Sequence, residues 1–295
     1  MKLDLDNCIA PIFVLIWSTG FVIARLAMPY VEPATFLFWR FSGVLAAMAA
    51  LSLIWRITWP SWSQMMHIAV AGSLLQFGYL LGVWFAVRLG MTAGLVAIIV
   101  GLQPILTAWF AAWISEKVTP RQWIGLCFGF VGVALVVAEK IGFAHIPLAS
   151  YVLAFIALLS ITFGTLYQKK YCPVFDLRAG SSIQFGVSTV LCFFCMYFFE
   201  SGVMVWNAPV IAALLWAVFP LSIGSISLLF MMIRKGAATK VTSLLYLTPP
   251  TTALMAWFLF DEPFTLMMAL GLCLTMTGVV LVNVRQNNTV ATIAE

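Results

Sequence analysis

The stretch Arg88-Leu89-Gly90, running through Pro104 and Ser115-Glu116 to Gly125-Leu126-Cys127 and Gly132-Val133-Ala134-Leu135-Val136, is written a second time from Arg234 to Val282. The copies lie 146 residues apart and stay in register without a gap: Gly90, Pro104, Glu116, Thr119, Gly125, Cys127 and Gly132 fall on Gly236, Pro250, Glu262, Thr265, Gly271, Cys273 and Gly278. Each copy is an apolar run broken by proline, then a carboxylate, then a second apolar run carrying glycines. A period near half the chain length describes two structural copies rather than a solenoid of short repeats.

Composition sets the solvent. Of 295 residues, 63% are hydrophobic and 8% charged, with a mean hydropathy of +1.07. Soluble domains carry about 25% charged and roughly 45–50% apolar residues, so this is a polytopic membrane protein. The net charge of +5 forms no basic stripe with interleaved aromatics, which argues against a nucleic-acid partner. Met1 to Asn7 is mixed in charge and leads into a run long enough to span, so a retained helix is expected rather than a cleaved signal. Cys192-x-x-Cys195 lies inside an apolar run with no second pair nearby, a weak basis for a metal or redox site.

A membrane helix takes roughly 20 apolar residues. Ten runs qualify, at 10–28, 33–54, 67–87, 92–114, 123–138, 148–167, 179–199, 208–233, 241–260 and 266–282. Lysine and arginine mark the cytoplasmic loops. With the N-terminus inside, that side collects Lys2, Arg56, Lys117, Arg121, Lys169, Lys170, Arg178, Arg234, Lys235, Lys240 and Arg285, against Arg25, Arg40, Arg88 and Lys140 outside or at outer helix ends. Five spans per copy is odd, so the second copy enters the membrane inverted. The expected fold is all-α, ten transmembrane helices in two inverted five-helix repeats, residues 1–140 and 141–295, with both termini cytoplasmic. Inverted repeats of secondary transporters place the site near the midplane between them.

Trp17-Ser18-Thr19-Gly20-Phe21 in the first span, Phe38-Trp39-Arg40-Phe41 in the second, the proline-centred fourth and ninth spans ending in Ser115-Glu116 and Asp261-Glu262, and the two glycine patterns together resemble the ten-helix, EamA-type transporters of the drug/metabolite transporter superfamily. The resemblance covers essentially the whole chain and speaks to fold more than to cargo. It implies an inner-membrane carrier of amino acids, other metabolites or toxic compounds, with export the commoner direction among bacterial members. It implies no cofactor.

Several residues carry candidate roles. Pro104 and the pair Pro249-Pro250 interrupt the fourth and ninth spans at equivalent depth. A proline removes a backbone hydrogen bond, and broken membrane helices are tolerated where protein repairs them or where they line a cavity, so these prolines are candidate kinks on the transport path. Gln103 and Thr248 precede them. Arg40 is the one full charge well inside a span, where a cation needs a partner or a cavity; it suits a substrate carboxylate. Trp17, Ser18, Gln76, Tyr79, Tyr167, Gln184 and Tyr246 complete the expected substrate-binding set, since deep polar tips need partners or water. Glu116 and Glu262 are read as helix-capping carboxylates, and Gly125 and Gly271 as close-packing residues. No carboxylate lies deep in a span, which disfavours a deep-carboxylate proton relay and favours a facilitator or coupling by another route. No nucleophile–base pair or metal motif such as H-E-x-x-H appears, so neither an enzyme nor a metal site is expected. The expected partners are a small-molecule substrate and the lipid bilayer; the oligomeric state stays open and is compatible with a monomer.

Overall fold

The computed structural model describes residues 5–54, 57–91, 96, 99–138, 146–235, 238–260 and 265–283. Among them the chain is helical, apart from one isolated antiparallel bridge between Val31 and Met204. In chain order the helices are α1 (Leu5–Ala27), α2 (Pro33–Ile54), α3 (Trp62–Arg88), α4 (103–114), α5 (Pro120–Ala138), α6 (Leu148–Tyr171), α7 (Leu177–Phe199), α8 (Ala208–Arg234), α9 (238–260) and α10 (Leu266–Asn283). Among the described residues six segments are long and apolar enough to cross a membrane: Pro33–Leu51, Trp62–Arg88, Leu148–Tyr171, Leu177–Phe199, Ala208–Arg234 and Leu266–Asn283. Glu262, Lys140 and Arg285 fall outside the described residues.

Helix ends follow from short polar side chains. Asp176 accepts the Arg178 amide at 2.9 Å to open α7, and Asn207 accepts the Val210 amide at 3.0 Å to open α8. At α5 the capping position expected for Glu116 is filled by Thr119. Its hydroxyl accepts the Gln122 amide at 3.3 Å while Gln122 Oε1 accepts the Thr119 amide at 2.9 Å, a reciprocal capping box. Thr265 likewise accepts the Met268 amide at 3.2 Å at the start of α10.

Helices α3 and α8 each widen in the middle. A π turn covers Ser73–Gly78 in α3 and another covers Ala217–Ser225 in α8. Such turns widen the helix and recur at functional sites. With the 146-residue register, Gln76 in the first corresponds to Ser222 in the second.

The packing is reciprocal. Helix α1 lies on α8 and α9, and α6 lies on α3 and α4; α2 packs on α7, α4 on α9, and α5 on α10. The α5–α10 contact is backbone to backbone. A Cβ on Gly125 would sit 2.7 Å from the Gly278 carbonyl oxygen, and one on Gly278 would sit 2.5 Å from that of Gly125. Gly271 is buried in the same seam, where its carbonyl accepts the Thr275 hydroxyl at 2.7 Å. Without water as a competitor, such close backbone approach holds membrane helices together.

Candidate functional site

The prolines shape the centre of the molecule. Pro104 lies in the first turn of α4, directly after a break at Gly101-Leu102. Thr248, Pro249 and Pro250 open a new α-helical turn of α9 after a 3₁₀ turn over Leu244–Leu247. A proline cannot donate to the carbonyl four residues back, which here means Val100, Leu245 and Tyr246. The Leu245 carbonyl takes the Thr248 amide instead.

Those three residues line one central cavity, with Trp17 from α1, Tyr79 and Val83 from α3, Val96, Gly101, Gln103 and Pro104, Val133 from α5, Ile161 from α6, and Thr248 from α9. It offers about 50 Å³ to the centres of water molecules. At roughly 10–15 Å³ per water on that measure, a few waters fit.

The wall is apolar with a small polar group of unusual character. Gln103 and Tyr246 are 1% exposed and Thr248 4%, yet among the described residues Gln103 Oε1, Tyr246 Oη and Thr248 Oγ1 have no hydrogen-bond partner. Leaving a buried polar atom unpaired costs about 1–3 kcal/mol, so three on one cavity define a place that awaits donors and acceptors. The Gln103 amide is oriented from behind. Thr165 donates its hydroxyl proton to the Ile161 carbonyl at 2.8 Å and can therefore only accept from the Gln103 NH₂, at 3.4 Å. The Gln103 oxygen, which accepts and never donates, is the end left over.

The other expected site residues have distinct places. Ser18 joins α1 to α9 beside the lining residues Trp17 and Thr248: its hydroxyl donates to Val14 O at 2.7 Å and lies 3.4 Å from Thr248 O, while Thr252 donates to Ser18 O at 3.2 Å. Arg40 is buried behind the wall, with Nε donating to Ser222 Oγ at 2.8 Å. The Ser222 proton is already given to Ala217 O at 2.8 Å, so Ser222 can only accept here. Among the described residues Arg40 pairs with no carboxylate, and one of its five N–H groups is engaged. Gln76 is buried in the α3 π turn with both amide atoms unpartnered among the described residues, and it is not part of the cavity lining.

Tyr167 and Gln184 lie elsewhere. Gln184 Nε2 donates to Gln168 Oε1 at 2.8 Å, joining α6 to α7. Tyr167 bonds His67 Nδ1 at 2.7 Å, in a cluster where Tyr171 stacks on His67 and Lys170 Nζ sits 4.7 Å over the Trp113 ring.

That cluster belongs to one closed end of the bundle. There α3 and α4 meet α6, Gln64 donates to Val174 O at 2.6 Å, and Lys169 donates to Ile233 O at 2.7 Å. The opposite end is clasped by Glu32, Arg88 and Glu200, which the chain brings together from three separate helix ends. Arg88 hydrogen-bonds Glu32 and lies 3.6 Å from Glu200. Glu200, its side chain fully buried, accepts the Ala34 and Thr35 amides at 2.7 Å each and the Thr35 hydroxyl at 2.8 Å. Glu32 accepts the Ser201 amide at 2.6 Å and its hydroxyl at 2.9 Å. Val205 N to Tyr30 O at 3.1 Å and the Val31–Met204 bridge complete the clasp. Burial raises the Glu32 pKa, but the bonds from Arg88 and Ser201 outweigh it and hold the carboxyl below its ordinary value.

A helical membrane bundle with a central cavity between reciprocally packed helices has the build of a small-solute carrier. The EamA-like transporter family matches residues 7–138 and again 148–284. The chain belongs to that family, and it is a multi-pass membrane protein. It is similar to the uncharacterized transporter YvbV of Bacillus subtilis, 30% identical over 92% of this chain and 89% of that one. It is also similar to a probable amino-acid metabolite efflux pump of Salmonella typhimurium, 23% identical over 92% of this chain and 93% of the relative. A solved crystal structure matches its fold with a TM-score of 0.79 at 17% identity, covering 94% of this chain and 96% of the other.

Proposed function

We propose that this protein is a secondary transporter of the inner membrane that exports small amphipathic metabolites, amino acids first among them, by alternating access. In this reading ten spans form two inverted five-helix repeats, residues 1–140 and 141–295, with both termini cytoplasmic. Three features support it: the reciprocal packing in which α1 on α8 mirrors α6 on α3, the π turns at matching registers, and loops of both halves meeting at each end of the bundle. The Glu32–Arg88–Glu200 clasp is then the outer gate, and the His67–Tyr167 end the inner one. The efflux-pump relative supports the cargo class and the direction.

The observation that carries the reading is the central cavity with its unpartnered Gln103, Tyr246 and Thr248 atoms. Gln103 Oε1 needs a donor, which an ammonium or amide N–H supplies. The aromatic faces of Trp17, Tyr79 and Tyr246 favour a cation nearby. Arg40, a buried cation without a carboxylate partner among the described residues, favours a solute that also carries an anionic group. A zwitterion satisfies both requirements; a bare cation satisfies one.

The test is counterflow of labelled amino acids in proteoliposomes, comparing wild type with Arg40→Ala. Saturable flux that the mutant loses supports the carrier and the anchoring role of Arg40. Equal flux removes Arg40 from the site. No amino-acid flux by folded wild type refutes the cargo.

A further inference from the structure

We infer that Gly129 on α5 is a specificity-determining residue that sets the width of the cavity through Tyr246. The inference rests on the cavity being the transport site. Gly129 lies among the glycines that pack α5 on α10, but it faces a different neighbour. A Cβ built on it would stand 2.7 Å from Tyr246 Cε2 and 3.1 Å from Cγ, and nearer still to Cδ2. One edge of the Tyr246 ring therefore occupies the space a side chain at residue 129 would take. Carbon atoms prefer separations of about 3.5–4.0 Å, so even a methyl group at residue 129 displaces the ring. At 1% exposure Tyr246 has no slack on its packed sides; the space open to it is the cavity, which Tyr246 and Val133, one turn beyond Gly129, both line.

The two sequence copies differ at this point. In the 146-residue register the counterpart of Gly129 is Thr275 and that of Tyr246 is Val100. Val100 also lines the cavity. One copy thus contributes a bulky aromatic wall seated on a glycine of the other, while its counterpart wall is small. The glycine is what keeps the aromatic wall retracted and holds its hydroxyl in the group with Gln103 and Thr248.

The experiment has an arm that needs no cargo. In a background with the six native cysteines replaced, Val100→Cys reports cavity width through its reaction rates with a small and a bulky methanethiosulfonate. Gly129→Ala should lower the bulky-to-small rate ratio at least about tenfold. Tyr246→Leu should raise it, and the Gly129→Ala/Tyr246→Leu pair should return it to at least the starting value. In counterflow, Gly129→Ala should weaken leucine and phenylalanine about tenfold and leave glycine and alanine within twofold. A rate ratio unchanged by Gly129→Ala, or lowered but not restored by Tyr246→Leu, overturns the inference. Failure of wild type to move any amino acid overturns the cargo reading alone, because the thiol ratios still decide the role of Gly129.

Discussion

Replacing Glu200 with glutamine should loosen one end of the bundle by an amount the hydrogen bonds dictate. One carboxylate oxygen accepts the Ala34 amide at 2.7 Å; the other accepts the Thr35 amide at 2.7 Å and its hydroxyl at 2.8 Å. A glutamine keeps one oxygen and turns an NH₂ group toward the remaining donors. The Thr35 hydroxyl can rotate to accept, but a backbone N–H cannot, so either orientation leaves one amide facing another. An unpaired buried amide costs about 1–3 kcal/mol, and the attraction of Arg88 and of the α2 N-terminus for the charge is lost as well. A total of about 2.8 kcal/mol is a hundredfold change in the opening equilibrium. Met204, 8% exposed and bridged to Val31, supplies the reporter. In detergent, with native cysteines replaced, maleimide modification of Met204→Cys should run roughly 100-fold faster when Glu200→Gln is added. Thr35→Val removes a hydroxyl bond of about 0.5–1.5 kcal/mol and should accelerate the reaction by about tenfold or less. Acceleration under threefold for Glu200→Gln would refute the idea that this carboxylate holds the end closed.

The clasp also sets a pH dependence. Because the folded state lowers the Glu32 pKa, its contribution is fully present above the ordinary glutamate value of about 4.5 and is lost as pH falls through the lower folded value. Melting temperature should therefore drop more steeply in wild type than in Glu32→Gln as pH falls from about 4.5 to the lower folded value; parallel curves would contradict the assignment. Gly125→Ala drives a methyl into the Gly278 carbonyl, and overpacking of this kind costs about 1–3 kcal/mol. Its melting temperature should fall, while an unchanged value would show that α5 and α10 slide apart freely. Tyr246→Phe removes a buried hydroxyl that has no partner, so thermal stability should hold or rise by up to about 1–3 kcal/mol while apparent cargo affinity falls. Lower stability together with unchanged affinity would place the hydroxyl outside the site.

What the sequence made legible was what the backbone dictates. Proline has no N–H, so Pro104 and Pro249-Pro250 mark breaks wherever they stand, and the polar neighbours Gln103 and Thr248 follow the same logic into the cavity. Depth along a helix was readable; azimuth was not. Tyr246 and Tyr167 look alike as buried tyrosines in apolar runs, yet one borders the cavity and the other bonds His67. Gln184 was indistinguishable from Gln103 until its neighbour Gln168 was located. The clasp was hidden for a different reason: Glu200 meets Thr35 across 165 residues, and nothing local distinguishes it from a solvated helix-end charge. The α5 cap, by contrast, was present in the sequence. Thr119-Pro120-Arg121-Gln122 is a capping box that opens three residues past Glu116.

The π turn of α3 has one more consequence. The segment beyond it, Tyr79–Arg88, is a single regular helix about 14 Å long with Tyr79 in the cavity wall and Arg88 in the clasp. A π turn carries one residue more than the α turn it replaces, so closing it into an α turn swivels everything above it about the helix axis. Tyr79 and Arg88 then turn as one crankshaft. Pressure on the wall and tension on the clasp become two readings of the same torque.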